Sequence, residues 1–137
     1  MVLAAIATGT AKFITDNLLV IQKDLIILMG ELATLSEDRD RYLRDGFVLI
    51  TKEVTRKLDD LVSDIEAEKV SFHGWATPGA TVHSAALDLA RTACRRAERR
   101  VCSMQAAGDL QNEEILVYLN RLSDALWLMA RWVETRE

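Results

Sequence analysis

The chain has 137 residues, half of them apolar, with one proline, six glycines and a net charge of −4. That length suits a single domain over residues 1–137 with a proper core, and the shortage of proline and glycine favours helices over a turn-rich β fold. The acidic balance excludes general nucleic-acid binding, which needs a broad basic surface. The apolar Met1 to Ala7 segment has no basic region before it, and no run of about 20 apolar residues follows, so neither a signal peptide nor a membrane helix is expected.

Residues 2–13 read as a short helix, and Thr15 or Asp16 as the cap of a longer one reaching about Leu35. Leu18, Leu19, Ile21, Leu25, Ile26, Leu28, Met29 and Leu32 are too many for one narrow stripe, so this helix is expected to be central and covered on more than one side. The run Ser36-Glu37-Asp38-Arg39-Asp40-Arg41, with Asp45-Gly46 beyond it, predicts a polar mobile loop over 36–50. Thr51 then caps a helix through about Glu68. Val54, Leu58, Leu61, Val62 and Ile65 form its inner stripe, and Asp59, Asp60, Asp64, Glu66 and Glu68 its wet side.

Residues 70–80 break the helical pattern with the only proline and carry Phe72 and Trp75. These aromatics either plug the end of a bundle or form an apolar wall over a ligand pocket. From about Thr81 a long helix runs to about Ala107, where Gly108 ends it. Midway along it, Arg91, Arg95, Arg96, Arg99 and Arg100 share ten residues with Glu98. Arg91, Arg95, Glu98 and Cys102 fall at i, i+4, i+7 and i+11 and so share a stripe, with Arg96, Arg99 and Arg100 to one side. Such a cluster is a solvated basic face or a face for an anion. Cys94 and Cys102 lie about 12 Å apart on that helix, too far for a disulfide, and read as free thiols of a reducing cytoplasm. Neither Cys-x-x-Cys spacing nor clustered histidines suggest structural zinc.

After Asp109 a last helix sends Ile115, Leu116, Leu119, Leu122, Leu126 and Met129 to the core, while Asn120, Asp124 and Arg131 make a second polar stripe. That stripe either bonds a neighbouring helix or, across an antiparallel pair, faces the arginines to build a polar site.

Three motifs in order, Trp75-Ala-Thr-Pro78-Gly79, Ala90-Arg91-Thr-Ala-Cys94-Arg95-Arg96-Ala97-Glu98-Arg99 and Tyr118-Leu119-Asn120-Arg121-Leu122-Ser123-Asp124, resemble the signature series of the PduO-type ATP:corrinoid adenosyltransferases. The run Ile21-Gln22-Lys23-Asp24-Leu25 through Gly30-Glu31-Leu32-Ala33 is similar to an earlier helix of that family, so the likeness covers about residues 15–133. It implies an all-α, ferritin-like up-and-down bundle of five helices that assembles as a homotrimer with sites between subunits. It further implies transfer of the 5′-deoxyadenosyl group of ATP to cob(I)alamin or a related corrinoid, giving adenosylcobalamin and triphosphate. A corrinoid reductase or an acceptor enzyme would then be a partner, and neither nucleic acid nor membrane would be.

The resemblance also assigns roles. Arg95 would contact ATP, Glu98 and Asn120 would fix the nucleotide and its magnesium, and Arg91 would form an intersubunit salt bridge. Arg96 and Asp124 would support the ATP side. A hard magnesium ion wants the oxygen ligands that Glu98, Asn120 and triphosphate offer. Trp75 stands where the family has a phenylalanine that packs under the corrin. Two family features are missing, the Gly-Asp-x-Gly nucleotide loop and the Asp-Glu-Leu-Asn segment, and Thr8-Gly9-Thr10 does not substitute for them. The chain is therefore expected to begin where that segment would end, as a shortened adenosyltransferase or as a homologue that has given up the loop. Two activities follow from the resemblance: adenosyl transfer, or holding a corrinoid or other cofactor at a subunit cleft without transfer.

Overall fold

The structure, a computed structural model, describes residues 8–70 and 75–136. Five helices carry the fold: α1 (Thr8–Leu32), α2 (Arg39–Arg44), α3 (Lys52–Ala67), α4 (Val82–Ala106) and α5 (Glu114–Arg136), with a 3-10 turn over Ser36–Asp38 ahead of α2. No strand occurs among the described residues. No helix there is long and apolar enough to cross a membrane.

Local chemistry explains the helix ends. Thr81 starts α4 with a capping box, its hydroxyl accepting from the Ser84 amide at 3.1 Å while the Ser84 hydroxyl accepts from the Thr81 amide at 3.1 Å. Gly108, at φ 79°, ends the same helix, where a left-handed residue lets the Asp109 amide turn back to the Met104 carbonyl at 2.9 Å. Asn112 opens α5 by accepting from the Glu114 amide at 3.1 Å. Before α3, Thr51 is extended as an N-cap should be. Glu53 lies below the ordinary carboxylate range because its own backbone amide, and then the Thr51 hydroxyl, hydrogen-bond to it.

The core is built around α5, which packs against α1, α3 and α4. Its inward residues Ile115, Tyr118, Leu122, Ala125, Met129 and Val133 are all buried. From α3, Leu58, Leu61 and Ile65 meet them as the spacing predicts, each burial worth about 1.5–3 kcal/mol. Contacts between helices fix the directions. Phe13 meets Trp132 edge-on at 5.1 Å and Asn112 meets Glu31 at 2.8 Å, so α1 and α5 are antiparallel. Thr55 bonds Glu114 and Arg136 bonds Glu68, so α3 and α5 are parallel, and the chain runs up and down.

Three expectations need correction. There is no break at Thr15 or Asp16, because Lys12 pairs with Asp16 at 2.6 Å and Asn17 bonds the Phe13 carbonyl at 2.9 Å, carrying one helix through that point. Residues 2–7 of the expected first helix lie outside the described residues. The 36–50 stretch is not a loop throughout but holds the 3-10 turn and α2, fastened by Tyr42 stacking on Phe47 at 4.7 Å and by Arg39 bonding Gln111 at 3.2 Å. The third concerns α1, which is not the central helix within one chain. Ile14, Ile21 and Leu28 are buried, but Leu19, Ile26 and Met29 on another face are exposed. That central place belongs to α5.

Candidate functional site at the seam of helices α4 and α5

Leu87, Cys94 and Val101, seven residues apart on α4, bury against α5 and fix which way α4 faces. Cys94 donates to the Leu119 carbonyl at 3.2 Å. Its burial, with Glu98 nearby, pushes the thiol up to about 11 against the opposing pull of Arg95. With the seam fixed, the two sequence stripes meet at two levels. Near the chain terminus of α5, Arg131 reaches Asp88 at 2.6 Å, and further along, the Asn120 amide donates to Glu98 at 3.4 Å. The numbers fall on α5 as they rise on α4, so the helices are antiparallel, and that register sets Arg95 at the level of Asp124.

The first of these levels is closed. Arg131 is only 2% exposed, donates to Asp88 and through two further bonds of 3.0 Å to Glu134, and lies 5.5 Å from the Trp127 ring. The second is open. Glu98 has one oxygen on Asn120 while its Oε2 is buried without a hydrogen-bond partner. On the same stretch of α4 Arg95, Arg96, Arg99 and Arg100 are all exposed, and no ion pair joins any of them to a described residue; Arg95 is on the Glu98 side of the helix, whereas Arg96 and Arg100 lie on the opposite face. Asp124 is exposed as well and does not pair with Arg95. Arg91 stands between the levels, half-buried, with its Nε 3.8 Å from Asp88. The open level therefore brings together Arg95, the underused Glu98 carboxylate and the Asn120 amide, while Arg96, Arg99 and Arg100 add positive charge on the outer side of α4 with no ion pair among the described residues. Guanidinium groups so arranged suit phosphate oxygens.

Trp75 is 99% exposed, which rules it out as a plug of the bundle; Phe72, the other candidate, lies outside the described residues. Neither Cys94, which is buried, nor Cys102, which is exposed, is in a disulfide.

A match along the chain decides its kinship: the family model for cobalamin adenosyltransferase covers residues 1–133. The chain belongs to the cobalamin adenosyltransferase family. Among its relatives, the corrinoid adenosyltransferase of Bacillus subtilis is 35% identical over 123 residues, which are 90% of this chain and 60% of that protein. The cobalamin adenosyltransferase of Cupriavidus metallidurans is 37% identical over 114 residues, 83% of this chain and 56% of that protein. The chain thus spans about 60% of the length of these relatives. A solved variant of the PduO-type ATP:corrinoid adenosyltransferase from Lactobacillus reuteri, complexed with cobalamin and ATP, superposes with a TM-score of 0.78 at 28% identity, covering 92% of this chain and 65% of that one. The family membership and the all-helical bundle expected from the motifs are borne out.

Of the residues that sequence reasoning singled out, Glu98 and Asn120 meet across the α4–α5 seam and Arg91 borders Asp88 there, Arg95 and Asp124 are exposed without pairing, and Arg96, two residues after the buried Cys94, is on the face of α4 turned away from α5. It missed Asp88, although an acid three residues before an arginine on one helix is a readable pairing signal. It also missed the polar ties that hold α1. Asp24 accepts from Lys57 at 2.8 Å and from the Tyr118 hydroxyl at 3.5 Å; burial first, and then the Asp24 charge, raise the Tyr118 phenol well above its usual range. Glu31 accepts from the Ile50 amide at 2.7 Å and from Asn112 at 2.8 Å. No short-range signal links such pairs, since Glu31 and Asn112 are 81 residues apart.

Proposed function

We propose that the chain transfers the 5′-deoxyadenosyl group of ATP to the cobalt of cob(I)alamin or a related corrinoid. The observation that carries this reading is the open level of the seam, where Arg95, without an ion pair among the described residues, shares a helix stripe with Glu98, which meets Asn120, in a member of this family. The Co(I) electron pair attacks C5′ of ATP, the C5′–O5′ bond breaks, the electrons leave with triphosphate, and cobalt ends two electrons more oxidised. Arginines pre-set on a rigid helix stabilise the negative charge that grows on the departing triphosphate.

Each residue then has a task. Arg95 binds the phosphates, with Arg96 and Asp124 supporting the nucleotide side. Glu98 and Asn120 orient the nucleotide, and Arg91 shapes the site at the boundary with a second subunit. Trp75, an apolar ring left wholly to solvent, faces the corrin. Magnesium fits this donor set in one way. No group of three or more His, Cys, Asp or Glu among the described residues could hold it alone, yet the partnerless Glu98 Oε2 and the Asn120 amide can add oxygens to those of triphosphate and water. Bound there, magnesium would neutralise phosphate charge.

We read residues 1–137 as one domain that works as a homotrimer. The exposed Leu19, Ile26 and Met29 on α1 support this, because a sequence so rich in apolar residues on two faces suits coverage by another copy. The free thiols suit a reducing cytoplasm, where a corrinoid reductase would supply Co(I) and an acceptor enzyme would take the product.

Anaerobic spectroscopy with reduced cobalamin, ATP and magnesium tests the reaction. Loss of the cob(I)alamin spectrum with formation of a light-sensitive cobalt–carbon product at catalytic turnover is expected, and Arg95→Ala is expected to abolish ATP binding. Corrinoid binding without transfer would replace this reading with that of a cofactor-holding protein. No binding of either ligand would sink both.

A further inference from the structure

Two complementary buried groups on α4 lack partners. Asp88 is buried, and its Oδ2 is taken by Arg131 at 2.6 Å, but its Oδ1 has no hydrogen bond. One turn on, the Arg91 Nε is buried and likewise has no hydrogen bond. They face each other at 3.8 Å, and Asp88 is the only ion-pair partner of Arg91 among the described residues. A buried N–H and a buried carboxylate oxygen left apart are each costly, and a side-chain shift of roughly 1 Å would join them at ordinary hydrogen-bond length. Arg131 cannot follow such a shift freely, because Glu134 grips its Nε and one terminal nitrogen. Asp88 is thus held from behind, on the side away from the arginine cluster.

We propose that Asp88 is the positioning residue for Arg91, itself fixed by Arg131 and Glu134, so that a buried relay starting near the end of α5 sets where the Arg91 guanidinium points in the open site. The Nε end of Arg91 is turned inward to Asp88, leaving the rest of the side chain for an anion beside Arg95. Asp88, Arg131 and Glu134 touch no ligand and act only through Arg91. The consequence for nucleotide affinity rests on the ATP reading above; the link between Asp88 and Arg91 does not.

Both parts can be measured on the whole chain. Arginine Nε–H resonances are recorded by NMR, with the Arg91 signal assigned from its loss in Arg91→Ala. It is expected to exchange slowly in the wild type, quickly in Asp88→Asn, and at an intermediate rate in Glu134→Gln, which keeps the Asp88–Arg131 pair and so carries less risk to folding. By calorimetry, Asp88→Asn is expected to weaken ATP binding about tenfold, within the range of coupling between contacting residues, and to have no further effect once Arg91 is alanine. An Arg91 signal unchanged in both Asp88→Asn and Glu134→Gln would overturn the proposal. So would affinity losses from Asp88→Asn and Arg91→Ala that simply add, since that is how a merely structural Asp88 would behave. A wild-type chain that binds no ATP would overturn the nucleotide reading alone, because the arginine resonance still decides the link to Asp88.

Discussion

Glu31 and Glu98 are two glutamates on long helices, each with an asparagine of the α5 region as partner, and they are used in opposite ways. At Glu31 both oxygens are occupied, one by the Ile50 amide at 2.7 Å and the other by Asn112 at 2.8 Å, with Arg39 standing 3.8 Å away. Asn112 also donates to the Ile50 carbonyl at 2.9 Å and opens α5, so one carboxylate ties the end of α1 to the approach to α3 and the start of α5. At Glu98 one oxygen has a long bond of 3.4 Å and the other has none. A buried acceptor that is satisfied holds the fold together. An unsatisfied one adds no such tie, and on the proposed reading it serves the nucleotide instead.

The largest effect is expected from breaking the satisfied glutamate. Glu31→Ala would strand the buried Ile50 amide and take from Asn112 one of its bonds, at a cost of about 3 kcal/mol. A urea titration would show the midpoint falling, while ATP affinity per folded molecule would stay near that of the wild type. A stable Glu31→Ala protein with lost ATP binding would reverse the contrast between the two residues.

Glu98→Gln is the matching change at the open site. Because Glu98 holds only one long bond within the fold, stability is expected to stay within about 0.5 kcal/mol of the wild type. If the chain carries out the proposed adenosyl transfer, its rate at saturating ATP is expected to fall about tenfold, a loss of about 1.4 kcal/mol. If the urea midpoint moved as far as for Glu31→Ala, Glu98 would be a structural residue and the open level would lose its central acceptor.

A smaller effect sharpens the structural side. A Cβ on Gly30 would stand 2.6 Å from the Tyr42 hydroxyl, so Gly30→Ala must push aside the ring that stacks on Phe47. Alanine's better helix propensity offsets part of the strain, leaving a net loss of about 1 kcal/mol or less. Hydrogen exchange over Arg39–Arg44 should quicken while α4 and α5 keep their protection. Quickening along α4 instead would mean that the Glu31 end and the Glu98 seam are coupled.

These contrasts mark what the sequence could and could not reveal. Helices α3, α4 and α5 were legible because their apolar residues recur at helical spacing and because Thr51, Thr81 and Gly108 punctuate them. The stripe of Arg91, Arg95 and Glu98 was legible for the same reason, since one helix fixes its own angular order. Helix α2 was not, because Arg39–Arg44 is charged nearly throughout and is held by contacts with Phe47 and Gln111 rather than by an apolar stripe. The rank of α1 was misread because periodicity reports apolar faces but not which neighbour in the same chain covers them. Arg131 shows a further limit. Its place in the stripe of Asn120 and Asp124 suggested the same surface, but register against α4 brings it to Asp88 and buries it, while Asp124 stays in solvent.

The smallest effect concerns the two thiols, which lie eight residues apart on the helix that carries the site. Cys102 is exposed, whereas Cys94 is buried at the seam and raised to about 11, by desolvation first and by the Glu98 charge second. In native protein at pH 8, iodoacetamide followed by mass spectrometry should therefore label Cys102 and spare Cys94. Because the folded value lies above the unfolded one of 9.0, the stability that the neutral Cys94 thiol contributes is fully present below about pH 9 and is lost as pH rises through about 11. Glu98→Gln removes one of the two influences that raise the thiol, so Cys94 should become slightly more reactive near pH 10 in that variant. Equal labelling of both cysteines at pH 8 would mean that the seam opens readily, and a seam that opens cannot hold Glu98 and Arg95 in the fixed arrangement that the proposed reaction requires.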